Sequence, residues 1–464
     1  MPRGRRARVT CARERLRADR PGRVGCRPNG CLCVGRRGGP NTGHPGAVSL
    51  HIVLATYALD GPGGTESYTL TVAHELQRLG HRVTLAAELL GPVARLAEDE
   101  GLEVVQAPDG LPGQCDAAIV HDAIVAGAVV GRYPHARVIH VAHSDLFDHQ
   151  LPVLVDGVLD AVVAMSDRVA SCVRALALDT PVIRLSQPID QQRFVPAGPL
   201  PPRPRRALLL GNYLDGDRRA ALFDAWRPAG IEFVQVGSPA SPLLDVRSAL
   251  ASADIVVAKA RAALEAMSCA RAVYIYDAFG GDGWVTPELY PALEADAFAG
   301  QATSAPRGPA EIAADLADYR PSMGWINHEL IRTHHAARRH ACALVELLLE
   351  NARVSRRRTS GLDEVARLSR RMWQMESRVL NAERRAGNAE DEHAELLARA
   401  NGASQESAQA QAQASAAAEE AGRWRARAEA AEAQTGRARD LLATRRVRAG
   451  LALGRALDRV RGMR

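Results

Sequence analysis

The sequence contains a single lysine, Lys259, so arginine carries nearly all of the positive charge on its 464 residues. Aromatic residues are also scarce, at 4%. With abundant alanine and glycine, this usage indicates a GC-rich genome rather than a chemical requirement. The net charge is only +6, and much of that excess lies in the first 40 and the last 20 residues. A central region without surplus charge argues against a nucleic-acid-binding groove, so we expect no nucleic-acid partner.

Long apolar runs are lacking too, since none reaches the roughly 20 residues of a membrane-spanning helix. The arginine-rich N-terminus has no apolar core of a signal peptide. Eight cysteines are scattered along the chain, and the cluster of Cys26, Cys31 and Cys33 has no second pair or histidine set to complete a metal site. We therefore expect reduced thiols, no metal and no cofactor, in a cytoplasmic protein.

Residues 1–47 are rich in Arg, Gly and Pro and have no hydrophobic period. Such a segment cannot bury a core, so we expect it to be disordered. An alternative is that this leader is not translated and that the protein starts at Val48, because a valine codon can serve as a bacterial start.

From Val48 onward, short apolar strands alternate with helices, which predicts parallel sheets covered on both faces. We expect an N-terminal domain at 48–200, a proline-rich linker around 196–206 and a second domain at 201–350. The expected fold is α/β, with two domains of similar size and a cleft between them. Ligands bind beyond the carboxyl ends of such strands. In the first domain, the candidates there are the loop Gly63–Glu66, His121 with Asp122, and His140 with His143.

Beyond Arg358, the pattern is typical of a coiled coil at 360–443, which would join chains into a homo-oligomer. The apolar positions at heptad spacing are Val365, Leu368, Met372, Met375, Val379, Ala382, Ala386, Ala389, His393, Leu396 and Ala400. Gly402 interrupts this pattern. The tail at 444–464 is basic and could form a helix on an anionic membrane surface; the alternative is a solvated charged end.

The stretch Ala253–Glu288 has the features of a nucleotide-sugar site. It predicts a strand, a loop with Lys259, a helix carrying an exposed Glu265, another strand and a glycine-rich loop at Gly280–Gly283. A strand that ends at a helix N-terminus suits an anion, since free backbone N–H groups and the helix dipole both favour negative charge. A glutamate one turn into the helix can accept hydrogen bonds from hydroxyl groups. A nucleotide-sugar offers both partners, a diphosphate and a ribose diol.

Three segments resemble the retaining, family-4 type of GT-B glycosyltransferases: GGTESYTLTVAHELQRLGHRVTL, VVAMSDRVASCV with PIDQQRF, and ADIVVAKARAALEAMSCARAV. The resemblance covers roughly Val48–Leu349. It implies two Rossmann-like domains, a nucleotide-sugar donor on the C-terminal side and an acceptor on the N-terminal side. The resemblance implies a donor role for Glu265, and the residues around it add Lys259, Arg261, Gly280, Gly281, Arg218 and Arg219 as expected donor residues. The implied cleft residues on the acceptor side are Gly63, Gly64 and Glu66, with His143 as the catalytic histidine.

Two departures from the family pattern fall on the donor side. Val257 stands where the family has a first glutamate, eight residues before Glu265. No lysine follows the first strand of the second domain, so Arg218 or Arg219 would have to replace it. The resulting hypothesis is a glycosyltransferase that acts with retention on a glycan, lipid or cell-envelope acceptor, in the cytoplasm or at the inner face of the membrane. A nucleotide-sugar epimerase and a non-catalytic scaffold that oligomerises remain alternatives.

Overall fold

The computed structural model describes residues 49–211, 214, 216–237, 243–277, 280–303, 307–350, 360–443 and 448–455. These residues form two compact units that divide after Arg385. The predicted leader at 1–47 and most of the basic tail at 444–464 lie outside the described residues. None of the helices in the described part of the chain is long and apolar enough to cross a membrane.

Seven parallel strands form the first sheet, in the order β3-β2-β1-β4-β5-β6-β7. They are β1 His51–Leu59, β2 Arg82–Leu90, β3 Glu103–Gln106, β4 Ala117–Val120, β5 Arg137–Ala142, β6 Ala161–Ala164 and β7 Val182–Arg184. The strand order changes direction between β1 and β4, and such a switch point opens a crevice at the carboxyl ends of the strands. The predicted parallel sheet is therefore confirmed.

Both faces of the first sheet are buried, which explains its continuous apolar strands. In β1, Ile52 and Leu54 pack into one core, while Val53 and Ala55 pack into the core on the opposite face. The helices between the strands are α1 Gly64–Arg78, α2 Pro92–Asp99, α3 Ala123–Arg132 and α4 Asp167–Ala175.

The second sheet has five strands in the order β12-β11-β10-β8-β9. They are β8 Arg206–Leu210, β9 Glu232–Val236, β10 Ile255–Ala258, β11 Ala272–Asp277 and β12 Gly280–Trp284. The helices that follow them are α5 Gly216–Trp226, α6 Arg247–Ser252, α7 Ala260–Ser268, α8 Tyr290–Ala295, α9 Pro309–Asp315 and α10 Ser322–His334. β8 to β11 are parallel, so this sheet is also Rossmann-like, with its own switch point between β8 and β10.

The glycine-rich segment predicted as a loop is instead the antiparallel edge strand β12. Gly281 pairs with Tyr276, and a Cβ at Gly281 would lie 2.5 Å from the Tyr276 ring. Gly283 has φ +78, a conformation that favours glycine. These glycines therefore allow the close approach of a side chain and a bulge at the sheet edge. Three closely spaced glycines are unusual in a strand, which is why the sequence indicated a turn.

The chain crosses twice between the two sheets, and the two crossings lie side by side. The first crossing follows β7, and the second joins α10 to α11 Ala337–Leu349. Ile189 N–H donates to the His335 carbonyl at 2.9 Å. α11 then packs through Leu344 and Leu348 into the core of the first sheet, so the last helix of the predicted second domain belongs to the first core.

The last helix, α12 Leu362–Ala443, is continuous for 82 residues and passes through Gly402 without a break. Its first residues belong to the first domain, because Leu362 is buried in that core against Gly127. A stripe of four predicted heptad residues is exposed: Leu368, Met372, Met375 and Val379. The coiled-coil association stays a prediction, and the side chain of His393 lies outside the described residues.

Candidate functional site

A cavity of about 730 Å³ lies between the carboxyl ends of the two sheets. We call it the interdomain cavity. The first domain contributes the loop after β1 and one face of α1, and the second domain contributes the ends of β8 and β9 and the start of α7. Early turns of α12 add Trp373, Ser377, Leu380 and Asn381. Each sheet thus presents the edge at which α/β proteins bind ligands.

Glu265 and Arg261 form the α7 wall of the interdomain cavity. Glu265 is 6% exposed rather than exposed as expected, and its Oε1 accepts a hydrogen bond from Arg261 Nε at 2.9 Å. Burial raises the pKa of the Glu265 carboxyl, and the neighbouring Arg261 charge opposes that shift. The pair stands one turn apart on one helix face, so the carboxylate is oriented before any ligand binds.

Arg261 also connects the two domains. Its guanidinium donates to the Pro188 carbonyl in the first crossing at 2.9 Å and to Thr71 Oγ1 on α1 at 2.8 Å. A weaker bond reaches the Ser67 carbonyl at 3.3 Å. The residue predicted to contact the donor therefore has a structural role as well, since it holds α7 against α1.

The other predicted donor residues lie away from this cavity. Lys259 precedes α7, and its ammonium forms an ion pair with Asp277 at the end of β11. Gly280 and Gly281 pair with β11 in the edge strand. Arg219 donates to Gln235 Oε1 at 3.3 Å, and Arg218 lies over the Tyr276 ring. None of these five residues lines either of the two cavities described here. The arginines that line the interdomain cavity are Arg193 and Arg261.

The predicted acceptor-side residues come together at the start of α1. Gly63, Gly64 and Glu66 line the interdomain cavity and also a second cavity beside it. The Glu66 carboxylate folds back toward the helix N-terminus, so a Cβ at Gly63 would lie 2.2 Å from Glu66 Oε2. Burial raises the pKa of Glu66 to about 7, and the charges of Asp60 and Asp122 add to this shift. Near neutral pH, this carboxyl can therefore either donate or accept a proton.

The second cavity, of about 540 Å³, lies at the switch point of the first sheet, and we call it the sheet-edge cavity. Asp122 caps α3 there, where it accepts hydrogen bonds from Ile124 N–H and Val125 N–H. The lining also includes the ends of β1 and β2, residues of α12, and His121, Phe147, His149 and Gln150. Trp373 is the most prominent of the α12 residues, with its ring 4.2 Å from that of His149 and 5.6 Å from that of Phe147, centroid to centroid.

His143 lies behind this lining rather than in it. Its Nε2 is 3.0 Å from His121 Nδ1, and its ring packs against Tyr68 at 4.7 Å. Burial holds the pKa of His143 well below its usual value, and that of His121 falls to about 3 for the same reason. His121 therefore reaches the cavity and His143 positions it, whereas the sequence favoured His143 as the cleft residue.

Sequence reasoning missed the contribution of α12 to both cavities. Trp373 lies between the heptad positions Met372 and Met375 and is not part of the predicted coiled-coil contact. The signal was a tryptophan on a helix otherwise rich in Ala, Arg and Glu. In the described part of the chain, no group of three or more His, Cys, Asp or Glu residues is arranged to hold a metal ion.

No protein-family model matches the chain, and a search of curated protein sequences finds no match. Solved structures similar to the chain include HepE from Anabaena in complex with UDP and glucose, at TM-score 0.48 and 13% identity, covering 64% of this chain and 99% of HepE. A glycosyltransferase from Rickettsia africae is similar at TM-score 0.45 and 12% identity, over 65% of this chain and 99% of that one. TarM has TM-score 0.44 and 8% identity, over 65% and 99% of the two chains. At this level of similarity, the function has to be argued from the site itself.

Proposed function

We propose that this chain is a glycosyltransferase that moves a sugar from a nucleotide-sugar to an acceptor held by the first domain. The observation that supports this most is the interdomain cavity, in which the switch points of two Rossmann-like sheets face each other. The edge of the second sheet suits the nucleotide, and the edge of the first sheet suits the acceptor. Glu265 stands on the nucleotide side as the acceptor of the ribose hydroxyls.

The nucleotide would lie across the ends of β8 and β9. Gly211 and Gly237 line the cavity there, and both have positive φ, at +153 and +148. Without side chains, their backbone leaves room for a base and ribose to approach closely. Arg193, whose guanidinium pairs with Glu100 at 2.9 Å, lies where the diphosphate would need a cation. In this proposal it replaces Lys259, which pairs with Asp277 and does not line the interdomain cavity.

Transfer with retention needs no side chain as a nucleophile. The acceptor hydroxyl attacks the anomeric carbon from the face that the diphosphate leaves, so the C–O bond to acceptor forms as the C–O bond to phosphate breaks. The proton of the hydroxyl passes to the departing diphosphate. Catalysis then consists of orienting the two substrates and stabilising the phosphate charge.

Calorimetric titration with UDP, the nucleotide bound in the HepE structures, followed by other nucleoside diphosphates, tests the donor site. We expect one of them to bind and Glu265→Gln to weaken it by roughly tenfold, because a charged acceptor of hydroxyl hydrogen bonds is lost. Glu329→Gln on the exposed face of α10 is the control. Binding of none of the nucleotides to the wild-type chain would contradict the proposal. With nucleotide-sugars, release of nucleotide indicates transfer or hydrolysis, and isomerised sugar indicates an epimerase.

A second candidate is a scaffold without transfer activity, and Val257 favours it. Val257 lies inside β10, is 1% exposed and packs in the apolar core of the second sheet. The connection from β10 to α7 is Lys259 alone, so it offers no place for the family's first glutamate. Nucleotide binding without turnover of any nucleotide-sugar would support the scaffold.

Association is part of both candidates. We propose that chains form a homo-oligomer through α12, along the stripe of Leu368, Met372, Met375 and Val379 and the helix beyond it. Sedimentation at micromolar concentration tests this, and a monomer would contradict it. Contact of the basic tail with an anionic membrane stays a prediction, since most of that tail lies outside the described residues.

A further inference from the structure

The sheet-edge cavity has an aromatic side that the mechanism above does not use. Trp373 stands between the two cavities, and its ring is held by His149 and by the edge of Phe147. One turn earlier, Arg370 anchors α12 to the end of β2 through two bonds to Glu88, at 3.0 and 2.6 Å. The indole is therefore a fixed surface rather than a free side chain. Flat, fixed aromatic faces suit the apolar C–H faces of sugar rings.

The lining of this cavity also offers hydrogen bonds without a strong charge. His121 Nε2 and His149 Nδ1 are buried and have no hydrogen-bond partner among the described residues. Burial lowers the pKa of His121 to about 3 and that of His149 to about 4, so both imidazoles are neutral at pH 7. A neutral imidazole nitrogen can accept a hydrogen bond from a hydroxyl or donate one to it, depending on its tautomer.

The charges of the lining argue against an anionic ligand. Its carboxyl groups are those of Asp60, Glu66 and Asp122, and its one arginine among the described residues is Arg378 at the exposed rim. A phosphate in this cavity would meet carboxylates with a single cation to offset them, which disfavours binding. A ring with several hydroxyl groups meets acceptors and donors instead.

The two cavities meet at one place. Gly63, Gly64, Glu66, Trp373 and Ser377 line both of them. A ligand in the sheet-edge cavity can therefore present one hydroxyl to the interdomain cavity across the Glu66 carboxyl, while its ring stays against Trp373. This is the arrangement that transfer between two bound substrates requires.

We propose that the sheet-edge cavity binds the acceptor, that the acceptor is a neutral carbohydrate, and that Trp373 of α12 sets this specificity by stacking on its ring. The proposal rests on the glycosyltransferase function above and names the acceptor class for it. In this proposal, the early turns of α12 contact the acceptor directly through Trp373.

The test is ligand-observed saturation-transfer NMR on the full chain. The probes are neutral methyl glycosides of glucose, galactose, mannose and N-acetylglucosamine, with glucuronic acid and glucose 1-phosphate as anionic comparators. We expect at least one neutral glycoside to bind and the anionic sugars to bind more weakly. Trp373→Ala should weaken the neutral glycoside roughly three- to tenfold, and Trp373→Tyr should largely restore it, because a phenol ring keeps a stacking face. Trp424→Ala, which removes an exposed tryptophan of the same helix, is the matched control and should change nothing.

Binding of no neutral glycoside to the wild-type chain, equal affinity for anionic sugars, or equal affinity in Trp373→Ala would each overturn the proposal. If Trp373→Ala does not fold, Trp373→Leu gives the same comparison, since it removes the aromatic face but keeps an apolar contact. UDP titrated into the same samples separates this proposal from the donor site. If a sugar binds and no nucleoside diphosphate does, the proposed function is contradicted, and the cavity remains a sugar site without an acceptor role. If a nucleotide binds and no sugar does, only this acceptor site is contradicted. Loss of UDP affinity together with sugar affinity in Trp373→Ala would assign the ring to the donor and overturn the proposal.

Discussion

The two sheets end at the same cleft but carry their polar groups differently. At the end of the second sheet, charges come as pairs: Arg261 with Glu265, and Lys259 with Asp277. At the end of the first sheet, His121 is buried and Glu66 is half-buried, and neither forms an ion pair with another of the described residues. Desolvation pushes both toward their neutral forms. In a charged pair, each group stabilises the ionised form of the other. A group whose pKa is shifted toward its neutral form can instead exchange a proton or form hydrogen bonds with hydroxyl groups. In the proposed function, the second sheet holds the nucleotide and the first sheet holds the hydroxyl acceptor.

The largest expected effect is acid sensitivity of the first domain. Burial lowers the pKa of His121 to about 3, of His140 to about 4 and of His340 to about 3. In the unfolded chain these imidazoles take up protons near pH 6.5, whereas in the fold they stay neutral. Their contribution to the free energy of unfolding is therefore complete above pH 6.5 and is lost as the pH falls. Each of these three histidines contributes a slope of roughly 1.4 kcal/mol per pH unit between pH 6.5 and 4, and the raised pKa values of Glu66 and Asp122 offset part of their sum. Denaturant unfolding across this range measures the net slope. His121→Gln should lower that slope by roughly 1.4 kcal/mol per pH unit, and an unchanged slope would contradict the neutral-histidine description.

The next prediction concerns the charged pair of Arg261 and Glu265 at the end of the second sheet. Arg261→Met should destabilise the chain by about 3–5 kcal/mol, because it leaves the buried Glu265 carboxylate without its partner and removes the contacts to α1. Replacing both residues in Arg261→Met with Glu265→Leu should recover part of that loss. Arg332→Met, in the exposed pair with Glu329, is the matched control and should change unfolding little. Equal effects at the two positions would show that burial of the pair is unimportant.

The third prediction concerns Glu66, whose carboxyl group lies at the end of the first sheet. Its folded pKa of about 7 lies above the ordinary value of 4.5, so the charged form is disfavoured in the fold. Stability should fall as pH rises from 4.5 to 7 and stay reduced above that. Glu66→Gln should then stabilise the chain at pH 8 by roughly 1–3 kcal/mol, less than a sealed site would give because the cavities admit solvent, and should change little at pH 4.5. Unfolding of the two proteins at both values checks this; a gain that does not depend on pH would point to packing instead.

The smallest effect concerns the attachment of α12. Arg370→Ala removes a partly buried pair with Glu88 and should cost roughly 0.5–1 kcal/mol in thermal unfolding. Arg367→Ala, which removes an exposed pair within the same helix, should cost less. A larger loss for Arg367 than for Arg370 would mean that the pair with Glu88 does not hold the helix on the first domain.

The sequence predicted what depends on local pattern and missed what depends on distant contacts. The alternation of short strands and helices from Val48 onward was predicted and is observed, because a buried parallel strand is one short apolar run. Glu265 was placed on the correct helix, but its burial depends on Arg261 meeting α1, 190 residues away in sequence from Thr71. β12 and Trp373 were missed because pairing with Tyr276 and packing on His149 override local preference.

The position of Trp373 on the last helix has a consequence for the order in which the protein is made. Both sheets are complete by β12, and α11 has closed the first core, before Trp373 leaves the ribosome. Until then, both cavities lack the wall that α12 supplies. If the proposed function holds, synthesis of the chain therefore completes the two binding sites together, and only after both sheets have formed.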